Sequence, residues 1–178
     1  MKLYLTTIGE NTTDIAKWQA ERLGFEVTLL DKKEPWIEKY KRFISLADDN
    51  CIRCDADISL NENILECHQG LEDMIQYSNY CLYKNNLSCG NPVYYSKKAL
   101  DLLRDNLEKL REDRPETSAW RFIESKGLLV YTDEMIVGIH GFYQNIDAIY
   151  RAEENKRNRN QIMNYDFALA RKIHDEIK

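Results

Sequence analysis

The rhythm of apolar and polar positions changes several times along this chain, and each change marks an element. KLYLTT (2–7) is a short apolar run that predicts a first strand. A helix follows. Asn11 is placed to cap it, Asp14 sits in the first turn where the dipole favours an acid, Ile15, Ala16, Ala20 and Leu23 recur at helical spacing, and Gly24 stops the run. FEVTLLD (25–31) is apolar almost throughout, as a strand covered on both faces must be. The next helix has the clearest pattern. Pro35 suits a first helical position, and Trp36, Ile37, Tyr40, Phe43, Ile44 and Ala47 make one stripe, which leaves Lys39, Lys41 and Arg42 for a solvated face. CIRCDADI (51–58) predicts a third strand.

Strand, helix, strand, helix, strand in that order predicts an α/β fold with a mostly parallel central sheet flanked by helices. The second half is less regular. NYCLYK (79–84), PVYYS (92–96), LLVYT (128–132) and MIVGIH (135–140) predict further strands. Ser96 is placed to cap a helix carrying Ala99, Leu100, Leu103, Leu107 and Leu110, and Pro115 opens another, ETSAWRFIES, closed by Gly127. From about Asp147 the chain predicts polar helix. The length predicts a single domain, residues 1–178, with a core over about 1–144 and a helical extension over 145–178.

Composition narrows the class. With 43% hydrophobic and 31% charged residues, the chain is globular rather than disordered. A net charge of −5 argues against a protein that coats nucleic acid over its whole surface. Residues 151–178 reverse the balance, with seven Lys/Arg against five Asp/Glu. RAEENKRNRNQ (151–161) is therefore either a solvated helix face or a contact for the phosphates of an acceptor, DNA included. No run is long enough for a membrane span, and the opening apolar stretch is too short for a signal peptide. Five cysteines, an odd number set mostly in apolar segments, predict buried thiols in a reduced, cytoplasmic protein. Cys51-x-x-Cys54 with Cys67-His68 does not predict zinc, because two residues three apart on a strand face opposite sides.

The chemistry is concentrated at the end of the third predicted strand. In parallel sheets, ligands bind beyond the carboxyl ends of the strands. On a continuous strand Asp55 and Asp57 would face one side, with Arg53 on that same side. Two nearby carboxylates repel, and a divalent cation removes the cost; oxygen ligands suit Mg²⁺ or Mn²⁺, which bridge readily to phosphates. A surface turn with two acids is the plainer alternative.

With that motif in place, the sequence resembles glycosyltransferases of the GT-A fold over about residues 2–144. KLYLTTIG is similar to the first strand, whose end receives the nucleotide, and CIRCDADISL to the Asp-x-Asp strand. GNPVYYSKKALDLL resembles the strand and helix near the acceptor. RPETSAWRFIESKG with VGIHGFYQ resembles the late segment that carries a catalytic acid and a metal-binding His. The resemblance implies a transfer of sugar from a nucleoside-diphosphate sugar, UDP favoured, to a hydroxyl acceptor. Asp57 would coordinate Mn²⁺ or Mg²⁺ directly, Asp55 would contact the ribose or a metal-bound water, and His140 would be a further ligand. Thr6, Thr7 and Asp31 would hold the nucleoside, with Arg53 free to pair with Asp55 or reach a phosphate. Glu116 is the candidate general base; if it acts so, inversion follows, and without a placed base retention stays open. The acceptor could be a glycan, a lipid-linked sugar, a protein or a modified nucleobase in DNA.

Each of these residues also has a structural alternative. His140 fits a core histidine, Glu116 a helix N-terminus, Thr6 and Thr7 a strand end, Asp31 a solvated turn. Tyr77, Tyr80, Tyr83, Tyr94 and Tyr95 fit packing as well as sugar stacking. Two rival functions remain. DADIS resembles the aspartate motif of haloacid dehalogenase-like phosphohydrolases, although there it lies on the first strand. A non-catalytic sugar- or nucleic-acid-binding module on the same fold is the other. A dinucleotide oxidoreductase is disfavoured, since no Gly-x-Gly-x-x-Gly follows the first strand.

Overall fold

The computed structural model describes residues 1–10, 12–66, 72–81, 86–141 and 154. The first third follows the βαβαβ pattern: β1 (Lys2–Thr6), α1 (Thr13–Arg22), β2 (Glu26–Leu30), α2 (Trp36–Leu46) and β3 (Cys51–Asp55). Both β2 and β3 pair with β1 in parallel, so the carboxyl ends of β1 and β3 lie side by side, Thr6 opposite Asp55. Then come β4 (Ile58–Leu60), β5 (Met74–Cys81), β6 (Asn86–Tyr95), α3 (Lys97–Arg104), α4 (Pro115–Ser125) and β7 (Val130–His140). One seven-stranded sheet holds them all, in the order β2-β1-β3-β6-β5-β7-β4. β5 and β7 run parallel to each other, while β6 and β4 run antiparallel to their neighbours.

That order forces the sheet to curl. β3 and β4 stand four strand positions apart, which is about 19 Å across a flat sheet. Only Ala56 and Asp57 join them, and the step from Asp55 to Ile58 reaches about 11 Å at most. The sheet therefore bends until its far edge returns beside β3. β4 comes to rest against α1, where Gln19 Nε2 donates to Ser59 Oγ at 2.9 Å.

Two cores form on the two faces. Tyr4, Cys51, Met74 and Tyr95 face α2, α3 and α4, and pack on Tyr40, Phe43, Leu100, Leu103, Ala119 and Ile123. Leu3, Leu5, Ile52 and Cys54 face α1 and β4, with Ala16, Ala20, Ile58 and Ile64. Cys51 and Cys54 thus do lie on opposite faces, both buried and free. Of the five tyrosines weighed for sugar stacking, Tyr77, Tyr94 and Tyr95 are buried, whereas Tyr83 lies outside the described residues.

Several sequence expectations need correction. The third strand ends at Asp55, and Asp57 stands in the turn before β4. The strand breaks because the chain must turn there to reach the other edge of the sheet: Ala56 N donates to Thr6 O at 2.9 Å, and Gly141 N donates to Asp57 O at 2.9 Å. The two late strands are one, β7, with register shifts against β5. α3 ends at Arg104, and Leu107 falls on a separate short 3-10 turn. Asn11, expected as a cap, lies outside the described residues; Thr12 occupies the cap position, but its hydroxyl donates to Ala56 O at 2.5 Å. Ser96 caps α3 as expected, accepting from Ala99 N at 3.1 Å. The C-terminal extension over 145–178 lies outside the described residues apart from Glu154, and so does the basic stretch.

Candidate functional site

The carboxyl ends of β1 and β3, the first turns of α2 and α4, and the loop after β1 enclose a cavity of about 310 Å³. Thr6, Thr7, Ile8, Glu10, Trp36, Lys39, Asp55, Asp57 and Glu116 line it. Of the residues singled out in the sequence, Thr6, Thr7, Asp55, Asp57 and Glu116 therefore meet at one place. Asp31, one residue past β2, is exposed and outside the lining, and His140 stands behind Asp57.

Arg53 organises one wall. It lies on the α2 side of β3 and its side chain is 1% exposed. Its Nη1 donates to Asp55 Oδ1 at 2.7 Å, and Nη2 stands 3.8 Å from Glu116 Oε1. The guanidinium carbon lies 5.2 Å from the Trp36 ring centroid and 5.9 Å from that of Tyr40, close enough for cation–π attraction. Burial works against its charge, but the carboxylates of Asp55 and Glu116 outweigh it and hold the guanidinium ionised. Thr6 Oγ1 also donates to Asp55, with Cys54 O as the alternative acceptor at 3.1 Å. One buried cation thus ties the end of β3 to the first turn of α4.

Asp57 is held from the other side of the molecule. Its Oδ2 lies 2.9 Å from His140 Nε2, on the last residue of β7. Burial lowers the histidine's proton affinity, but the Asp57 carboxylate, with a smaller contribution from Cys81, raises it more, so the net shift is upward. Gly138 lets β7 pack this closely on β4, the strand that follows Asp57: a Cβ there would meet Ser59 O at 2.6 Å.

The loop after β1 is held by its own side chains. Thr7 Oγ1 donates to Glu10 Oε2 at 2.6 Å and accepts from Gly9 N at 2.9 Å, while Ile8 N donates to Glu10 Oε2 at 2.7 Å. Gly9 has φ +93°, a conformation that other residues rarely adopt. Lys39 reaches in from α2 and donates to Thr7 O. It is buried, and burial lowers its proton affinity.

Lys39, Trp36, Glu10 and Ile8 were not foreseen at the site, and the expectation that Lys39 is solvated is overturned. The signal was present. Lys39 is three residues past Trp36 and four before Phe43, which places it on the apolar stripe. Lys41 and Arg42 lie off that stripe, where they pair with Glu38 at 3.2 Å and Glu34 at 2.7 Å.

The donor set suits a hard cation. The carboxylates of Glu10, Asp55, Asp57 and Glu116 outnumber the basic side chains of Lys39, Arg53 and His140 around them. Among the described residues, no three His, Cys, Asp or Glu side chains are already gathered as a ligand cluster.

No family model and no curated protein matches this sequence. Solved structures do match. The glycosyltransferase involved in glycosylation of the major capsid of PBCV-1 superposes with a TM-score of 0.53 at 10% identity, over 88% of this chain and 97% of that one. A197 from STIV superposes at 0.49 with 12% identity, over 74% of this chain and 81% of that one. The inositol-1-phosphate CTP transferase from T. maritima gives 0.49 with 9% identity, over 97% and 76%. The first of these shows that the chain has a glycosyltransferase-like fold, a mixed α/β sheet flanked by helices. No helix among the described residues is long and apolar enough to cross a membrane.

Proposed function

We propose that this protein is a metal-dependent glycosyltransferase that moves a sugar from a nucleoside-diphosphate sugar to a hydroxyl acceptor. The observation that carries this reading is the meeting of Asp55, Asp57 and Glu116 on one cavity at the carboxyl ends of β1 and β3. The glycosyltransferase-like fold agrees with it.

In this reading Asp55 and Asp57 hold Mn²⁺ or Mg²⁺, which supplies charge neutralisation for the donor diphosphate. His140 orients Asp57 and becomes a ligand itself only by exchanging that bond. Thr6 and Thr7 hold the nucleoside, and Trp36 offers its base an aromatic face; Asp31, outside the lining, has no part in this reading. UDP is the favoured donor nucleotide. Lys39 adds a fixed positive charge toward the phosphates. The acceptor oxygen bonds to the anomeric carbon while the bond to the diphosphate breaks and the leaving oxygen keeps the electron pair. Glu116 takes the acceptor's proton, which gives inversion. Arg53 keeps Asp55 and Glu116 at a fixed separation, so the acid that faces the donor and the base that faces the acceptor move as one unit. The buried, unbridged thiols of Cys51 and Cys54 suit a cytoplasmic location, which belongs to the proposal.

The test is a thermal-shift panel of nucleoside diphosphates with and without Mn²⁺. A ligand at a hundredfold excess over its Kd stabilises the native state by about 2.7 kcal/mol. A metal-dependent rise with one nucleotide, lost in Asp57→Ala, is expected; equal rises without metal refute the site. Donor turnover then separates a transferase from a binding module. Phosphate release from a simple phosphomonoester would point to a phosphohydrolase instead.

A further inference from the structure

A second cavity, of about 440 Å³, lies beside the first turns of α4 and is lined by Arg111, Asp113, Arg114, Thr117, Ser118 and Arg121. Three arginines and a single acidic residue line it, on a chain whose net charge is −5. Arg111 and Asp113 are joined fork to fork, Nε to Oδ1 at 3.0 Å and Nη2 to Oδ2 at 2.9 Å. The Arg111 backbone N donates to Ser118 Oγ at 2.9 Å, and that hydroxyl donates to Pro115 O at 2.8 Å. These bonds fix the wall. Arg114 and Arg121 form no salt bridge among the described residues.

The arginines Arg114 and Arg121 and the Thr117 hydroxyl around this cavity suit a compact oxyanion. Arginine's planar donors match phosphate oxygens, and a cavity that gathers arginines against the sign of the whole chain suits such a group. The position of the cavity gives it a use. Glu116 stands between Pro115 and Thr117 on the same turn of α4, yet it lines the donor cavity. That turn is therefore a shared wall, with a carboxylate on one side and the arginine cavity on the other.

We propose that the arginine cavity seats the phosphate of a phosphorylated acceptor and so presents one of its hydroxyls to Glu116. This rests on the transferase reading. The transfer step is unchanged: the acceptor oxygen bonds to the anomeric carbon, the diphosphate leaves with its electron pair, and the proton goes to Glu116. The phosphate anchors and does not react.

Two measurements test this on the full chain and on Arg114→Gln/Arg121→Gln, both positions being exposed. In the first, inorganic phosphate is titrated and followed by calorimetry. The double variant is expected to bind about tenfold more weakly or worse, since it loses charge-assisted bonds. In the second, transfer is compared between phosphorylated sugars and their unphosphorylated parents. Preference for the phosphorylated form is expected, with KM raised about tenfold in the variant and kcat little changed. Equal phosphate affinity in both proteins overturns the site, and equal use of both sugars overturns the acceptor assignment. The nucleotide response, read in the same proteins, keeps the two readings apart. If it is absent from the wild type while phosphate binding still depends on the arginines, the donor reading fails, and the acceptor role falls with it.

Discussion

Asp55 and Asp57 are two residues apart, and opposite halves of the chain hold them. Asp55 ends β3 and is braced by Arg53 and Thr6, all within the parallel βαβαβ unit. Asp57 stands beyond the strand and is braced by His140, 83 residues later in the chain, at the end of β7. The first acid is placed by local strand geometry. The second is placed by long-range closure of the sheet. A perturbation in the later half should thus displace Asp57 and spare Asp55, and one in the earlier half should do the reverse.

The largest expected effect is on the Asp55 side. Arg53→Ala removes a buried cation from two carboxylates and two aromatic rings, and is expected to cost about 3 kcal/mol in urea unfolding. Next comes the Asp57 side. Gly138→Ala presses a methyl group onto Ser59 O and is expected to cost about 2 kcal/mol. It should also weaken the metal-dependent nucleotide response while leaving the Arg53–Asp55 pair in place, as a crystal structure of the variant would show.

His140→Gln should cost less, about 1 kcal/mol, and only over part of the pH range. The folded histidine holds its proton more tightly than the unfolded one, through Asp57. The pair's contribution is therefore complete below about pH 6.5, the unfolded value, and is lost as pH rises through the higher folded value. The stability gap between wild type and variant should be widest near pH 6 and close on the alkaline side; a gap that widens with pH contradicts the ion pair. The smallest effect separates the two lysines of α2. Lys41→Met removes an exposed pair with Glu38 and should change stability by less than about 0.5 kcal/mol. Lys39→Met removes a buried charge that costs desolvation, so the fold should tolerate it while nucleotide affinity falls.

The same division explains what the sequence could tell. Up to Asp55, period and punctuation placed the elements, and β1 and β3 have their apolar residues covered; β2, expected to be covered on both faces, is an edge strand only partly covered, and Ile15 of α1 is exposed. Arg53 was expected beside Asp55 because alternation alone puts it there. Asp57 was expected on the strand, and alternation misled, because the break after Asp55 is set by pairing between β4 and β7. No local pattern encodes a partner that distant. His140 was picked out by its motif, but its bond to Asp57 became visible only with the sheet order. Lys39 was misjudged for a different reason: its chemistry was read before its spacing.

The two-residue link between β3 and β4 has a consequence for how this protein can be divided. It acts as a clasp, since it joins the middle of the sheet to its rim. A fragment ending before β7 would keep the Asp55 corner but have nothing to fasten Asp57 to, so its binding site would be half built. Any ligand that needs both acids is in effect sensing whether the entire band is shut.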